Sequence, residues 1–249
     1  MTDSSNGRPV VLITGAARRV GATIARTLHA AGYDLALHCR QSRTELDLLI
    51  KELELARDSS TLALQADLAD TDGLPDLVND TLDRFGRLDG LVNNASAFYP
   101  TAMGSVTQMH WDELFASNAR APFFLAQAAA SHLRDRGGSI VNLLDIYAER
   151  PLKGYPVYCM AKAAQAAMTR ALAQELGPEV RVNGVAPGAV MWPEGGSTYA
   201  RKDDIIERTP LKRAGNAEDV ANAVLWLLRD AQFVTGEIIN VDGGRSLAI

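Results

Sequence analysis

The sequence predicts an α/β fold, one doubly wound parallel sheet of about seven strands with helices on both faces. Three observations predict it. Short apolar runs alternate with longer helix-period stretches along the chain. The runs are nearly continuous rather than alternating, as expected when helices cover both faces of a sheet. The first run leads straight into a glycine-bearing turn, TGAARRVG, that opens a helical pattern.

Taken in order, the strands read as VVLITG (10–15), DLALHC (34–39), TLALQAD (61–67), GLVNNA (90–95), SIVNLLD (139–145), VRVNGVAPG (180–188) and EIINVDGG (237–244). Each ends in residues that favour turns. Helical patterns lie between them, near 20–31, 44–56, 71–85, 107–135, 155–177 and 216–229. The segment 189–209, AVMWPEGGSTYARKDDIIERT, is polar and glycine-bearing, and reads as a substrate loop or lid with one short helix. Residues 1–8 read as a flexible N-terminus with no apolar signal region.

A chain of 249 residues fits a single domain spanning 1–249. Its formal net charge of -5 offers no basic field to nucleic acid. No apolar run reaches the ~18 residues expected of a membrane span. Cys39 and Cys159 make neither a metal-ligand spacing nor a disulfide framework, so a reduced, cytoplasmic setting and no metal are expected.

The turn Thr14–Gly21 carries the first site prediction. Gly15 permits a tight turn, Gly21 permits close packing, and the N–H groups around Val20 at the helix start can hold a pyrophosphate. Arg19 stands where the T-G-x-x-x-G-x-G pattern commonly has its middle glycine. Its guanidinium can reach a phosphate, or cross it into a substrate pocket. The second strand ends at His38-Cys39-Arg40 without the acidic residue that binds a ribose 2′-hydroxyl in NAD-selective folds. Arg40, Ser42 and Arg43 can instead bind a 2′-phosphate, which favours NADPH; the alternative is that they are solvated. Asp67 can accept a bond from an adenine amine or cap the next helix. Asn94 and Ala95 end the fourth strand, where a ribose would pass, although the asparagine can also serve only to close a turn.

The second site prediction lies in LLDIYAERPLKGYPVYCMAK, residues 143–162. Tyr158 and Lys162, four apart, share one helix face. A free tyrosine titrates near ~10, and a neighbouring ammonium favours its phenolate. Lys162 can also bond the hydroxyls of a nicotinamide ribose. Asp145 stands thirteen residues before Tyr158, where many enzymes with this pattern carry a serine; the alternative is that Asp145 caps the segment after the strand.

With TGAARRVG, the NNA run, Asn118 in SNAR, Tyr158-Cys-Met-Ala-Lys162 and Pro187-Gly188, the chain resembles a short-chain dehydrogenase/reductase over essentially its whole length, which implies a Rossmann-like fold. TGAARRVG, NNASAFYP and Asp145…Tyr158…Lys162 make it similar, within that superfamily, to the pteridine reductases. The resemblance implies that Asn118 locally opens its helix and holds a water linked to the lysine, that Pro187 and Gly188 border the cofactor, and that the protein is a homotetramer. Helices rich in small residues at 121–135 and 161–176 offer faces for such contacts, or simply cover the sheet. The chain departs from the superfamily after Pro187-Gly188: Ala189, Val190, Met191 and Trp192 replace the threonine that often contacts the nicotinamide amide.

A pterin or folate substrate would explain Asp145. Ketone reduction needs a proton at an oxygen that is gaining negative charge, and an ionised carboxylate would repel it. Pterin reduction delivers hydride to a ring carbon and a proton to a ring nitrogen. A carboxyl beside Tyr158 can pass that proton or accept N–H bonds from the amino-pterin edge. Phe98 can stack on one face of the ring, Ser96 can bond pterin or phosphate, Arg19 can bridge phosphate and pterin, and Tyr147, Tyr155, Met191 and Trp192 can line the cavity. The ordinary alternatives are a core phenylalanine, a turn serine, a solvated arginine and plain packing. The competing functions are an NADPH-dependent reductase of a ketone, sugar or acyl thioester, and a non-catalytic NADP-binding sensor.

Overall fold

The computed structural model describes residues 7–190 and 202–248. Seven strands form one sheet in the order β3-β2-β1-β4-β5-β6-β7. They are β1 (Val10–Ile13), β2 (Asp34–Cys39), β3 (Thr61–Gln65), β4 (Gly90–Asn93), β5 (Ser139–Leu143), β6 (Arg181–Pro187) and β7 (Ile238–Val241). Every pairing is parallel; Leu12, for example, lies beside Ala36 on one side and Leu91 on the other. The helices are α1 (Arg19–Ala30), α2 (Arg43–Ala56), α3 (Leu74–Phe85), α4 (Gln108–Phe115), α5 (Ala121–Arg134), α6 (Pro156–Leu176), α7 (Lys202–Arg208) and α8 (Ala217–Arg229).

Consecutive strand residues point to opposite faces, and both faces are buried. Val11, Ile13, Leu35, Leu37 and Val92 pack under α1, α2 and α8 with Ile24, Leu28, Leu49 and Val224. Leu12, Ala36, Leu91, Ile140 and Val182 pack under α3, α5 and α6 with Leu77, Leu125, Leu133 and Leu172. Two cores back to back explain why the strands read as unbroken apolar runs. The order reverses between β1 and β4, so the connections leaving their C-terminal ends diverge and open a crevice.

Two expectations are corrected. The pattern at 107–135 is not one α-helix: a wider π-helical turn, Ala116–Arg120, separates α4 from α5. The pattern at 71–85 becomes helical only at Leu74. The short helix expected in 189–209 is α7. Met191, Trp192 and the rest of 191–201 lie outside the described residues, as do 1–6 of the N-terminus.

Candidate active site

The crevice at the β1/β4 reversal is a cleft of about 430 Å³. Its walls include Gly15, Arg19, Val20, Arg40, Ser42, Asp67, Asn94, Ala95 and Ser96, so the structure gathers most of the predicted cofactor set in one place. The turn that builds it is tightly specified. Gly15 has φ +63, and a Cβ there would lie 2.9 Å from the Ala95 Cα. A Cβ on Gly21 would lie 2.1 Å from the Gly15 carbonyl oxygen. Asn94 Nδ2 donates to the carbonyls of Thr14 and Gly15, each at 2.9 Å. Asn94 thus closes the turn and also faces the cleft. Arg19 takes the left-handed conformation, φ 53, which explains why the pattern prefers glycine at that position.

Asp67 likewise does two things. Its Oδ1 accepts from the Ala69 N–H at 3.0 Å, and the residue lies on the cleft wall. Arg43 instead pairs with Asp47 at 2.8 Å within α2. Arg18, not singled out from sequence, does line the cleft, where it also pairs with Glu45 of α2 at 3.7 Å. A dinucleotide fits these walls: close-approach glycines, a helix start on the cleft wall, and basic side chains just past the end of β2.

Sequence reasoning also missed His38. It is buried, its Nδ1 accepts from the Gly15 N–H at 3.3 Å, and its Nε2 contacts the Ala66 carbonyl at 3.1 Å. The carbonyl can only accept, so Nε2 carries the proton and the ring is neutral. Burial lowers the His38 pKa. Glu113 and Ser117 on the cleft wall were missed as well. Nothing in their spacing marks them, since they precede Asn118 on what reads as one continuous helix.

Asn118, Phe98, Asp145, Tyr158, Lys162, Pro187 and Gly188 do not line that cleft. Phe98, Asp145, Tyr158 and Lys162 instead make a connected group around the Tyr158 ring and hydroxyl, while Asn118 bonds Ser96 on the cleft wall. Tyr158 donates its hydroxyl to Asp145 Oδ2 at 2.8 Å. Asp145 Oδ1 accepts from the Tyr147 N–H at 2.9 Å, so Asp145 caps the segment after the strand while it also bonds Tyr158. The Phe98 ring stacks on Tyr155 (4.7 Å, 11°) and meets Tyr158 edge-on (4.7 Å, 77°). Lys162 Nζ, one turn further along α6, donates to the Leu143 carbonyl at 2.7 Å and to Gln165 Oε1 at 3.1 Å.

Asn118 lies inside the π turn, where the wider spacing deprives carbonyls of their usual partners. Its Nδ2 donates to the Leu114 carbonyl at 2.9 Å and the Ala97 carbonyl at 3.0 Å. Its Oδ1 accepts from the Ser96 hydroxyl at 2.7 Å, tying the loop after β4 to the opened helix. Gly188 packs against the Asp242 side chain, where a Cβ would approach to 2.7 Å, and its N–H bonds the Val241 carbonyl.

The electrostatics follow from burial. Asp145 is pushed up to about 6; desolvation outweighs the Tyr147 N–H, the Tyr158 hydroxyl and the Lys162 charge, all of which pull it down. Lys162 is 1% exposed and is pushed down to about 8 by desolvation, against the Asp145 charge. A carboxyl, a phenol and an ammonium therefore share one site, with the carboxyl able to carry a proton near neutrality.

The family model described as Enoyl-(Acyl carrier protein) reductase matches residues 15–246. Pteridine reductase 1 of Leishmania tarentolae is 38% identical, over 96% of this chain and 96% of its own. The putative ketoacyl reductase 2 of the granaticin polyketide synthase of Streptomyces violaceoruber is 35% identical over 96% of each chain. The 3-oxoacyl-[acyl-carrier-protein] reductase FabG of Staphylococcus epidermidis is 32% identical, over 94% of this chain and 97% of its own. The parallel sheet, the glycine turn at its switch point and these full-length similarities agree: the chain belongs to the short-chain dehydrogenase/reductase superfamily, oxidoreductases that use nicotinamide cofactors.

Proposed function

We propose that this chain is an NADPH-dependent pteridine reductase that takes dihydropterins, and also dihydrofolate or oxidised pterins, to the tetrahydro level. The observation that carries the reading is the Tyr158 hydroxyl bonded to a carboxyl, Asp145, that burial holds near neutral titration. When bound, the cofactor supplies hydride from nicotinamide C4. Gly15, Val20, Asn94 and Ala95 would hold its phosphates and ribose, and Arg18, Arg40 and Ser42 its 2′-phosphate. Protonated Asp145 donates through the Tyr158 hydroxyl to a ring nitrogen, and solvent returns the proton. Asp145 and Tyr158 act as a coupled pair. Arg19 and Ser96 orient the heterocycle, and Phe98 offers it a face to stack on. Lys162 holds the ribose and opposes negative charge on the pair.

The main alternative is a carbonyl reductase, favoured by the similarity to 3-oxoacyl reductases. Asp145 argues against it, because above about pH 6, where the carboxyl loses its proton, its charge would repel a developing oxyanion. NADPH oxidation with dihydrobiopterin, dihydrofolate and an acetoacetyl thioester separates the two. We expect Asp145→Ser to lower pterin kcat/KM about 100-fold, the scale of a lost general acid, while leaving NADPH affinity unchanged. Turnover of the thioester alone, or an undiminished variant, would overturn the reading. The working unit in this proposal is a cytoplasmic homotetramer.

A further inference from the structure

The sequence offers no reason to single out Gln165, yet it is 1% exposed and sits three residues after Lys162 on the same face of α6. An ammonium in a fully buried position is stable only if its N–H groups find acceptors. Lys162 finds two: the Leu143 carbonyl where β5 ends, and the Gln165 amide oxygen. The backbone carbonyl cannot be changed by substitution; Gln165 is the acceptor the sequence chose. An ammonium has three N–H groups, so these bonds leave one for a ribose hydroxyl.

Gln165 is itself fixed from behind. Its backbone carbonyl accepts from the Thr169 hydroxyl at 2.9 Å, and that hydroxyl accepts from Asn142 Nδ2 at 2.9 Å. Asn142 Oδ1 in turn accepts from Asn93 Nδ2 at 2.8 Å. A run of buried polar side chains therefore joins α6 to β5 and β4 and holds this turn of the helix in place. The neutrality of the acceptor also has a consequence. A carboxylate there would neutralise Lys162 in a tight buried pair, and an apolar side chain would leave an N–H without a partner.

We propose that Gln165 is a positioning residue, whose side-chain carbonyl fixes the Lys162 ammonium beneath the cofactor ribose and keeps it charged in the closed site. The inference rests on Lys162 serving the oxidoreductase reaction, not on the identity of the substrate. Among the described residues the charge that acts on Lys162 is Asp145, from the connection between β5 and α6. The Tyr158 ring, on α6, lies 6.0 Å from Nζ.

The test reads the ammonium directly. Protein labelled with 13C at the lysine ε-carbon, saturated with NADP+, is titrated by NMR; the Lys162 resonance is separated from Lys51, Lys153, Lys202 and Lys212 by its loss in Lys162→Met. We expect Gln165→Met to lower the Lys162 midpoint by about one pH unit, and Gln165→Glu to raise it. In NADPH turnover, the alkaline limb of kcat/KM should move in the same directions, with about a fivefold loss at pH 8 in Gln165→Met. Should Gln165→Met fail to fold, the upward shift in Gln165→Glu decides alone. Lys162 midpoints that do not move in either variant would overturn the inference, whatever the activities. Moved midpoints in a protein that turns over ketones but not pterins would uphold it and remove the pterin reading.

Discussion

Asp145 accepts two hydrogen bonds at once, from the Tyr147 backbone and the Tyr158 hydroxyl, and still titrates far above an ordinary carboxylate. Both bonds and the Lys162 charge favour the ionised form; desolvation favours the acid and wins. This gives the pH profile of the proposed reaction a definite sign. A proton donor must be protonated, so kcat/KM for dihydropterin should be highest below about 6 and fall tenfold per pH unit above it. Loss of the Lys162 charge, near 8, should steepen the fall. In Asp145→Asn the limb near 6 should vanish, leaving a slow, flat rate up to the lysine limb. Steady-state rates from pH 5 to 9 check this; a limb near 6 that survives in the asparagine variant would assign it to another group. The carboxylate was legible at this position in the sequence. The outcome of its contest with the lysine was not, because it depends on how much water the fold excludes.

At the scale of the element, the turn between β1 and α1 places a bulky residue in a backbone region that L-residues avoid. Arg19, at φ 53, sits there at a cost of about 1 kcal/mol relative to glycine. Arg19→Gly should therefore raise the unfolding free energy by roughly that amount in urea titrations, while weakening pterin binding measured by KM. An arginine variant that is the more stable of the two would show that its side chain holds the fold instead of serving the cleft. The seven strands and six of the helices were legible because apolar runs and helical periods survive without knowledge of neighbours. The break at Ala116–Arg120 was not. One wide turn leaves Leu114 and Leu125 both buried, so the apolar pattern runs through it unchanged. Only the resemblance around Asn118 marked the spot. The strand ends differ as well: the pattern at 61–67 extends to the turn residue Asp67, but the register with β2 stops at Gln65, opposite Cys39. Gln165 and His38 escaped because a polar residue in a helix or strand reads as solvated until its partners are known.

Among the described residues, apolar side chains on the helices and along one sheet edge are left uncovered. Trp111, Phe123, Phe124 and Met160 on α4, α5 and α6 are each about two-fifths exposed, at 42%, 41%, 38% and 43%. The edge strand β7 carries Ile238, Ile239 and Val241, none of them fully buried, and β6 is its one partner among the described strands. An apolar edge strand and an apolar helix face both call for cover. Each patch can meet its own copy across a two-fold axis, and two different two-fold contacts on one chain close into a tetramer with dihedral symmetry. Light scattering on the native protein should therefore return four times the chain mass of 26.8 kDa. Phe124→Glu places a charge in the helix contact and leaves β7 untouched. That variant should fall to a dimer, with the sheet-edge contact intact and cofactor still bound in the cleft formed by a single chain. A native protein that scatters as a monomer would remove the assembly from the proposal. A variant that remains tetrameric would move the helix contact to another face.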